Sequence, residues 1–366
     1  MGLKVGARSL YLTEPGVIDV REERIPSAAA EAVLVSVLAS AVSPGTELLA
    51  YRGKLPAADA AEAAIDPYAA SPGYPMRLGY AAVGRVSEVG ETVDPSWRGR
   101  MVFAFRPHGS HFVARPEELL PLPEHMSPET ATFIANLETA VGLVMDGAPL
   151  AGERVCVIGL GVVGLLTTAL LSRFPLKRLT AFDPLARRRE MARALGAEEA
   201  LDPSREAPRR TVESGADSEG LGAPAHGVGD AGTPAGDGAD LIYEVSGNPE
   251  ALDTAIELAG YGGRIVVGSW YGSKRASVDL GGRFHRRRIK LIGSQVSTIA
   301  PEYRGRWDKA RRLRWVREMA GALGPQRLIT HRFPIEKAAE AYRVLDTQPE
   351  AALGVLLSYD DYVRRG

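Results

Sequence analysis

The chain has a single cysteine, Cys156, and that scarcity narrows the chemistry at once. One thiol excludes an intrachain disulfide and any zinc site built from several cysteines. It also makes the cytoplasm the expected compartment. Only 6 histidines occur in 366 residues, so a metal centre has few imidazoles to draw on. Net charge is missing as well. The 44 Lys and Arg against 45 Asp and Glu leave a formal −1, which gives no field to gather nucleic acid or an anionic membrane. Met1-Gly2-Leu3-Lys4 lacks the apolar core of a signal peptide. The longest apolar stretch, Val155 to Leu171, is interrupted by Gly159, Gly161 and Gly164, so it reads as strand, turn and helix rather than a membrane span. A chain of this length and ordinary composition has room for two cores.

That interrupted stretch contains Gly159-Leu160-Gly161-Val162-Val163-Gly164. A buried strand, a glycine turn and a helix start are the order a dinucleotide-binding βαβ unit needs. Gly159 permits the tight turn, Gly161 lets a pyrophosphate approach the backbone, and Gly164 lets the helix pack close. Val162 and Val163 open that helix, whose unpaired N–H groups attract phosphate. Asp183 ends the next apolar run, at the distance where a carboxylate meets ribose hydroxyls. Its charge favours NAD over NADP, although Arg187, Arg188 and Arg189 leave a 2′-phosphate open. Ser246-Gly247 and Gly268-Ser269 end two later strands, at the carboxyl edge where such sheets bind ligands; Ser294 ends the last strand, within reach of a nicotinamide amide.

Before the motif, short strands are predicted over 4–12, 17–25, 32–42, 82–89, 101–105 and 111–114, separated by Gly and Pro. Residues 58–64 suggest a helical turn, and 66–75 a loop. After it, apolar runs at 155–158, 178–182, 241–246, 264–269 and 289–293 alternate with helical stretches at 185–195 and 249–259. Gly196 and Gly260 stand where C-caps are expected. This pattern predicts a doubly wound parallel sheet. Residues 203–239 lack apolar periodicity and read as a flexible low-complexity insertion. Helices over 307–323 and 335–345 and a strand over 352–358 are too few to form their own core, so they are expected to return to the N-terminal β-domain. Phe284-His285-Arg286-Arg287-Arg288 reads as a solvated helix face. In the helix from Trp307, Leu313, Val316 and Met319 are expected to face inward.

Ser43-Pro44-Gly45-Thr46-Glu47, Gly79-Tyr80-Ala81-Ala82-Val83-Gly84, Gly99-Arg100-Met101-Val102, Glu138-Thr139-Ala140 and Glu244-Val245-Ser246-Gly247 complete a set of landmarks. With the glycine motif they make the chain resemble the medium-chain dehydrogenase/reductase family along nearly its whole length. The resemblance implies a GroES-like β-barrel catalytic domain (1–136 and 297–366) with an inserted Rossmann domain (137–296). It also implies a homodimer, joined through the strand around Arg264–Ser269. Thr139 matches a position beside the nicotinamide, and Arg188 one near the adenosine ribose. The zinc ligands of the family are replaced. Ser43 and Pro44 stand at the cysteine position, Tyr80 and Ala81 at the histidine position, and Ala135-Asn136 near the third ligand. Catalytic zinc needs three protein ligands, so no zinc is expected. His108 and His111 are read as packing or surface residues.

Without zinc, hydroxyl and backbone N–H groups must stabilise charge on a substrate oxygen. Thr46 matches the family's proton-passing Ser/Thr, or caps the helix that starts there. Tyr80 and Tyr51 are the other proton-donor candidates, each also readable as a pocket liner. Glu138 orients the Thr139 hydroxyl or forms an ion pair elsewhere. The expected activity is alcohol–carbonyl interconversion on a small or mid-sized organic substrate. Its competitors are a quinone- or enoyl-type reductase and a catalytically silent nucleotide-binding protein. The Ser-Pro-Gly-Thr-Glu segment is similar to that of bacteriochlorophyllide-type hydroxyethyl dehydrogenases.

Overall fold

A computed structural model describes residues 5–24, 26–55, 73–204 and 238–359. The helical turn expected at 58–64, most of the 66–75 loop and nearly all of the 203–239 insertion lie outside the described residues. The chain divides into two compact units, 1–139 with 297–366 and 140–296. Among the described residues no helix is long and apolar enough to cross a membrane.

The first unit opens with β1 (Val5–Glu14), β2 (Val17–Arg24) and β3 (Val33–Val42), then α1 (Thr46–Tyr51). It continues with β4 (Met76–Arg77), β5 (Ala82–Val89), β6 (Met101–Ala104), β7 (His111–Ala114) and β8 (Leu120–Pro121). Two helices follow, α2 (Pro128–Ala131) and α3 (Ile134–Gly147), and the boundary between the units falls inside the second. The composition of β3 explains its position. Its almost unbroken Val, Leu and Ala are buried along nearly the whole strand, and it pairs antiparallel with both β5 and β7.

The second unit is a six-stranded parallel sheet. In chain order its elements are β9 (Arg154–Ile158), α4 (Val162–Leu171), β10 (Arg178–Phe182), α5 (Ala186–Ala194) and β11 (Glu199–Leu201). Then come β12 (Ala239–Glu244), α6 (Ala251–Leu258), β13 (Ala259–Val267) and β14 (Lys290–Gly293). The order is β11-β10-β9-β12-β13-β14, reversing direction of growth beside β9. Runs such as Val155-Cys156-Val157-Ile158 are wholly apolar because both faces are covered. Register decides what this sheet presents. Phe182, Ile158, Glu244, Val267 and Gly293 lie in one row across it. The next residue along each strand, Asp183, Gly159, Val245, Gly268 and Ser294, is therefore delivered to the same carboxyl edge. Burial pushes the Cys156 thiol up to about 12, so it is no nucleophile near neutral pH.

The chain then returns to the first unit through α7 (Lys309–Leu323), β15 (Ile329–Pro334), α8 (Ala338–Thr347) and β16 (Gly354–Ser358). β16 pairs antiparallel with β3, and Tyr342, Val355 and Leu357 join the core made by Leu10, Val37 and Leu48.

Three expectations need correction. Gly260 is no helix cap: α6 ends at Leu258, and Ala259 is already extended and paired with Ala239. The Gly260 backbone is crossed by Gly238, on which a Cβ would lie 2.6 Å from the Gly260 nitrogen. The strand around Arg264–Ser269 is not a sheet edge, since Arg264 pairs with Leu241 on one side and Lys290 on the other. Among the described residues the end strand on that side is β14, with β11 at the other end. In α7 the buried side chains are Arg312, Val316, Ala320 and Leu323, a stripe offset from the one expected, with Leu313 and Met319 only half-buried.

Candidate active site and nucleotide cradle

In the second unit the three glycines are held to different tasks. Gly159 has φ +93, and a Cβ there would lie 2.4 Å from the Ser246 Cα. A Cβ on Gly164 would lie 1.9 Å from the Gly159 carbonyl oxygen, so α4 packs as close as it does only without one. Gly161 differs: it is the N-cap of α4, and nothing lies within 4 Å of where its Cβ would be. No side chain at Gly161 screens the helix start, so the first N–H groups, at Val162 and Val163, are available for an anion. The residues fit a dinucleotide pyrophosphate.

Asp183 is buried and braces this turn. Its Oδ2 accepts from the Leu160 N–H at 2.8 Å and its Oδ1 from the Leu185 N–H at 2.9 Å. Arg188 reaches that carboxylate at 3.7 Å, while Arg189 donates to the Asp183 and Pro184 carbonyls. Two of the three arginines are thereby tied to the same edge. Glu244, fully buried, accepts from the Ser246 N–H at 2.8 Å, from the Ser246 hydroxyl and from the Tyr271 hydroxyl at 2.5 Å. The Gly247 N–H donates to Ser269 Oγ at 2.8 Å. A Cβ on Gly268 would meet Leu143 at 2.4 Å. The Ser294 hydroxyl donates to Asp146 at 2.5 Å rather than standing free at the strand end.

In the first unit the site is built at the end of β3. Ser43 follows the strand, and the Ser43 N–H donates to Glu47 Oε1 at 2.8 Å, closing the first turn of α1. The Tyr80 hydroxyl donates to Ser43 Oγ at 2.6 Å, so the two residues that the resemblance sets at zinc-ligand positions hold each other. Thr46 is half-buried, and its hydroxyl bonds to no other described residue; the capping role is not realised, because Gly45 is the N-cap. Tyr51 stacks against Tyr342 with centroids 5.6 Å apart, and burial raises its phenol above the usual range. Thr139 donates to the Ala135 carbonyl at 3.2 Å. Glu138 does not orient it: that carboxylate pairs with Arg312 at 2.7 Å, both groups being buried.

Sequence reasoning missed the support beneath the site. His108 is wholly buried, its Nε2 3.0 Å from Glu47 Oε2 and its Nδ1 2.7 Å from Ser40 Oγ. Ser40 in turn contacts the Tyr359 hydroxyl at 2.7 Å, and the Tyr342 hydroxyl donates to Glu47. Serine, histidine and glutamate here follow the order of a nucleophilic triad, but all three are sealed from solvent. No substrate can reach that serine. The cluster anchors the Ser43–Glu47 turn. Gly79, with φ +99, is required where it is because a Cβ would lie 2.6 Å from the His108 ring. No pattern in the sequence signalled this support; the capping candidate there was Thr46.

The donor set does not fit zinc. Ser43 and Tyr80 supply hydroxyls, Pro44 and Ala81 supply nothing, and Asn136 supplies an amide. His108 has both ring nitrogens occupied. Among the described residues no three His, Cys, Asp or Glu are grouped to hold a metal.

The family model "Zinc-binding dehydrogenase" matches residues 162–313. An uncharacterized zinc-type alcohol dehydrogenase-like protein, YphC of Escherichia coli K12, is 28% identical over 245 residues, 65% of this chain and 60% of YphC. D-guloside 3-dehydrogenase of the same organism is 25% identical over 285 residues, 76% of each chain. Among solved structures, a protein of E. coli CFT073 described as a short-chain alcohol dehydrogenase, complexed with NADH, superposes with a TM-score of 0.71 at 21% identity, covering 96% of this chain and 99% of that one. An antiparallel β-domain interrupted by a six-stranded Rossmann sheet, the glycine cradle and these relatives together make the chain similar to the zinc-type medium-chain dehydrogenases.

Proposed function

We propose that the chain is a zinc-independent, NAD-preferring oxidoreductase that interconverts an alcohol and a carbonyl on a small or mid-sized organic molecule. The Tyr80–Ser43 hydrogen bond carries the reading, because hydroxyls stand where a zinc enzyme needs thiolate and imidazole. The nicotinamide, when bound, supplies the hydride acceptor or donor. Gly159, Gly161, Val162, Val163 and Gly164 hold the pyrophosphate, and Asp183 with Arg188 meets the ribose. Ser246, Gly247, Gly268, Ser269 and Ser294 line the remaining edge. Without a Lewis acid, charge developing on the substrate oxygen must be met by O–H donors. The Thr46 hydroxyl has no partner to release first among the described residues, so it passes the proton, and the Ser43–Tyr80 pair supports it. D-guloside 3-dehydrogenase among the relatives favours alcohol oxidation over reduction of a conjugated C=C bond. The Ser43–Glu47 segment extends the proposal toward hydroxyethyl-type substrates.

The test is a metabolite-extract screen following NADH formation by chelator-washed protein. Turnover without stoichiometric zinc is expected. Thr46→Val and Tyr80→Phe should each lower kcat by about 10²-fold or more, with NADH affinity unchanged. Stoichiometric zinc overturns the reading, and equal affinity for NADH and NADPH overturns the cofactor preference. Consumption of NADH by enones alone would identify an enoyl-type reductase; tight binding with no turnover would identify a silent nucleotide-binding protein.

A homodimer belongs to the same proposal, with β14 as the edge that needs cover. A light-scattering mass of one chain would refute it.

A further inference from the structure

In the first unit, residues of β1, β2, β4, β7 and the 106–107 loop line a half-open cavity of about 400 Å³. Its volume suits a small organic molecule, at the low end for ligand pockets. The lining is unbalanced in charge. Arg24, Arg77 and Arg106 face it with a single carboxylate, Glu23. That carboxylate is already committed, accepting from the Ser9 and Tyr11 hydroxyls at 2.6 Å each and lying 3.4 Å from Arg77. Burial opposes its ionisation, yet those hydrogen bonds hold it below the usual carboxylate range, so it stays charged. Arg77 also donates to Ser9, through the same Nη2 that faces Glu23. The other two guanidiniums have capacity to spare. Arg24 pairs with no carboxylate among the described residues, and Arg106 makes one exposed contact, to Glu118 at 2.7 Å. His111 spends Nδ1 on Ser110, leaving Nε2 without a described partner. Pro26, Pro107 and Phe112 add an apolar wall.

We propose that this cavity binds an oxyanion, carboxylate or phosphate, carried on a short carbon skeleton. Arg24 and Arg106 take the charge by forked hydrogen bonds, and the proline and phenylalanine wall takes the carbon. Two of its arginines are near the site in sequence: Arg77 precedes Tyr80 by three residues and Arg106 precedes His108 by two, and the His108 N–H donates to the Leu78 carbonyl at 2.8 Å. The proposal is independent of the dehydrogenase reading, because binding is measured without nucleotide or turnover.

Calorimetric titration of the full chain at low salt uses glycerol 3-phosphate and succinate as probes, with glycerol as the uncharged control. At least one anion is expected to saturate while glycerol does not. Arg24→Gln, at an exposed residue, and Arg106→Gln, at a half-buried one, should each weaken it about tenfold or more. Gly161→Val should leave it intact, which separates this cavity from the phosphate-binding helix start. No saturable binding of either anion up to about 10 mM would overturn the proposal. So would equal binding of glycerol, or binding unchanged in the double arginine variant.

Discussion

Gly161→Val is expected to abolish dinucleotide binding while leaving the fold intact. Gly161 has φ −68 and ψ −174, extended backbone that valine adopts readily, and nothing lies within 4 Å of where its Cβ would be. That side chain would occupy the space through which a pyrophosphate reaches the first N–H groups of α4. NADH affinity, followed by nucleotide fluorescence, should fall by about 10²-fold or more, since several charge-assisted hydrogen bonds are lost together. The thermal midpoint should not move. Gly164→Ala makes the opposite control. Its Cβ would lie 1.9 Å from the Gly159 carbonyl oxygen, so the helix must shift, and both stability and affinity should fall. Wild-type NADH affinity in Gly161→Val would remove the cradle from the mechanism.

Arg312→Met should destabilise the first unit by about 3–5 kcal/mol, the usual result of orphaning one member of a buried ion pair. Arg312 is 1% exposed and Glu138 2%. Its Nη2 and Nε lie 2.7 and 3.2 Å from Glu138 Oε1, and its Nη1 donates to the Thr298 carbonyl at 3.3 Å. Methionine keeps much of the volume but leaves the Glu138 charge without a counterion in a dry site. Adding Glu138→Gln should recover much of the loss, because an amide tolerates burial better than an unpaired carboxylate. Urea unfolding followed by tryptophan fluorescence reports on this region directly, since Trp315 lies on the same helix. An equal loss in the single and double variants would show that packing, not charge, holds α7 in place.

The parts of this molecule that were legible in the sequence are those encoded by local period and local turn chemistry. The glycine motif, the parallel strands, Gly196 past the end of α5 and the helical return of the C-terminal segment all follow from neighbours within a few residues. Gly260 misled because a glycine after a helix and a glycine at a backbone crossing look alike until Gly238 is placed beside it. Arg312 was invisible for a different reason. A charged residue in an otherwise apolar stripe reads as solvated until its partner is known, and Glu138 is 174 positions away. His108 likewise has no periodicity to betray it. Its partners Ser40, Glu47 and Leu78 come from separate stretches, and only the closed sheet brings them together. Cofactor binding is a local property of one βαβ unit, whereas the hydroxyl site depends on long-range closure.

That closure also sets an order of assembly. β3 receives its partner β16, and Ser40 and Glu47 their hydroxyls from Tyr359 and Tyr342, only after residues 140–296 have been made. On the ribosome, where domains fold as units as they emerge, the inserted sheet can therefore mature while the opening strands still lack their seal. The domain that begins the chain is the last to become complete, and until then the hydroxyl site has no floor.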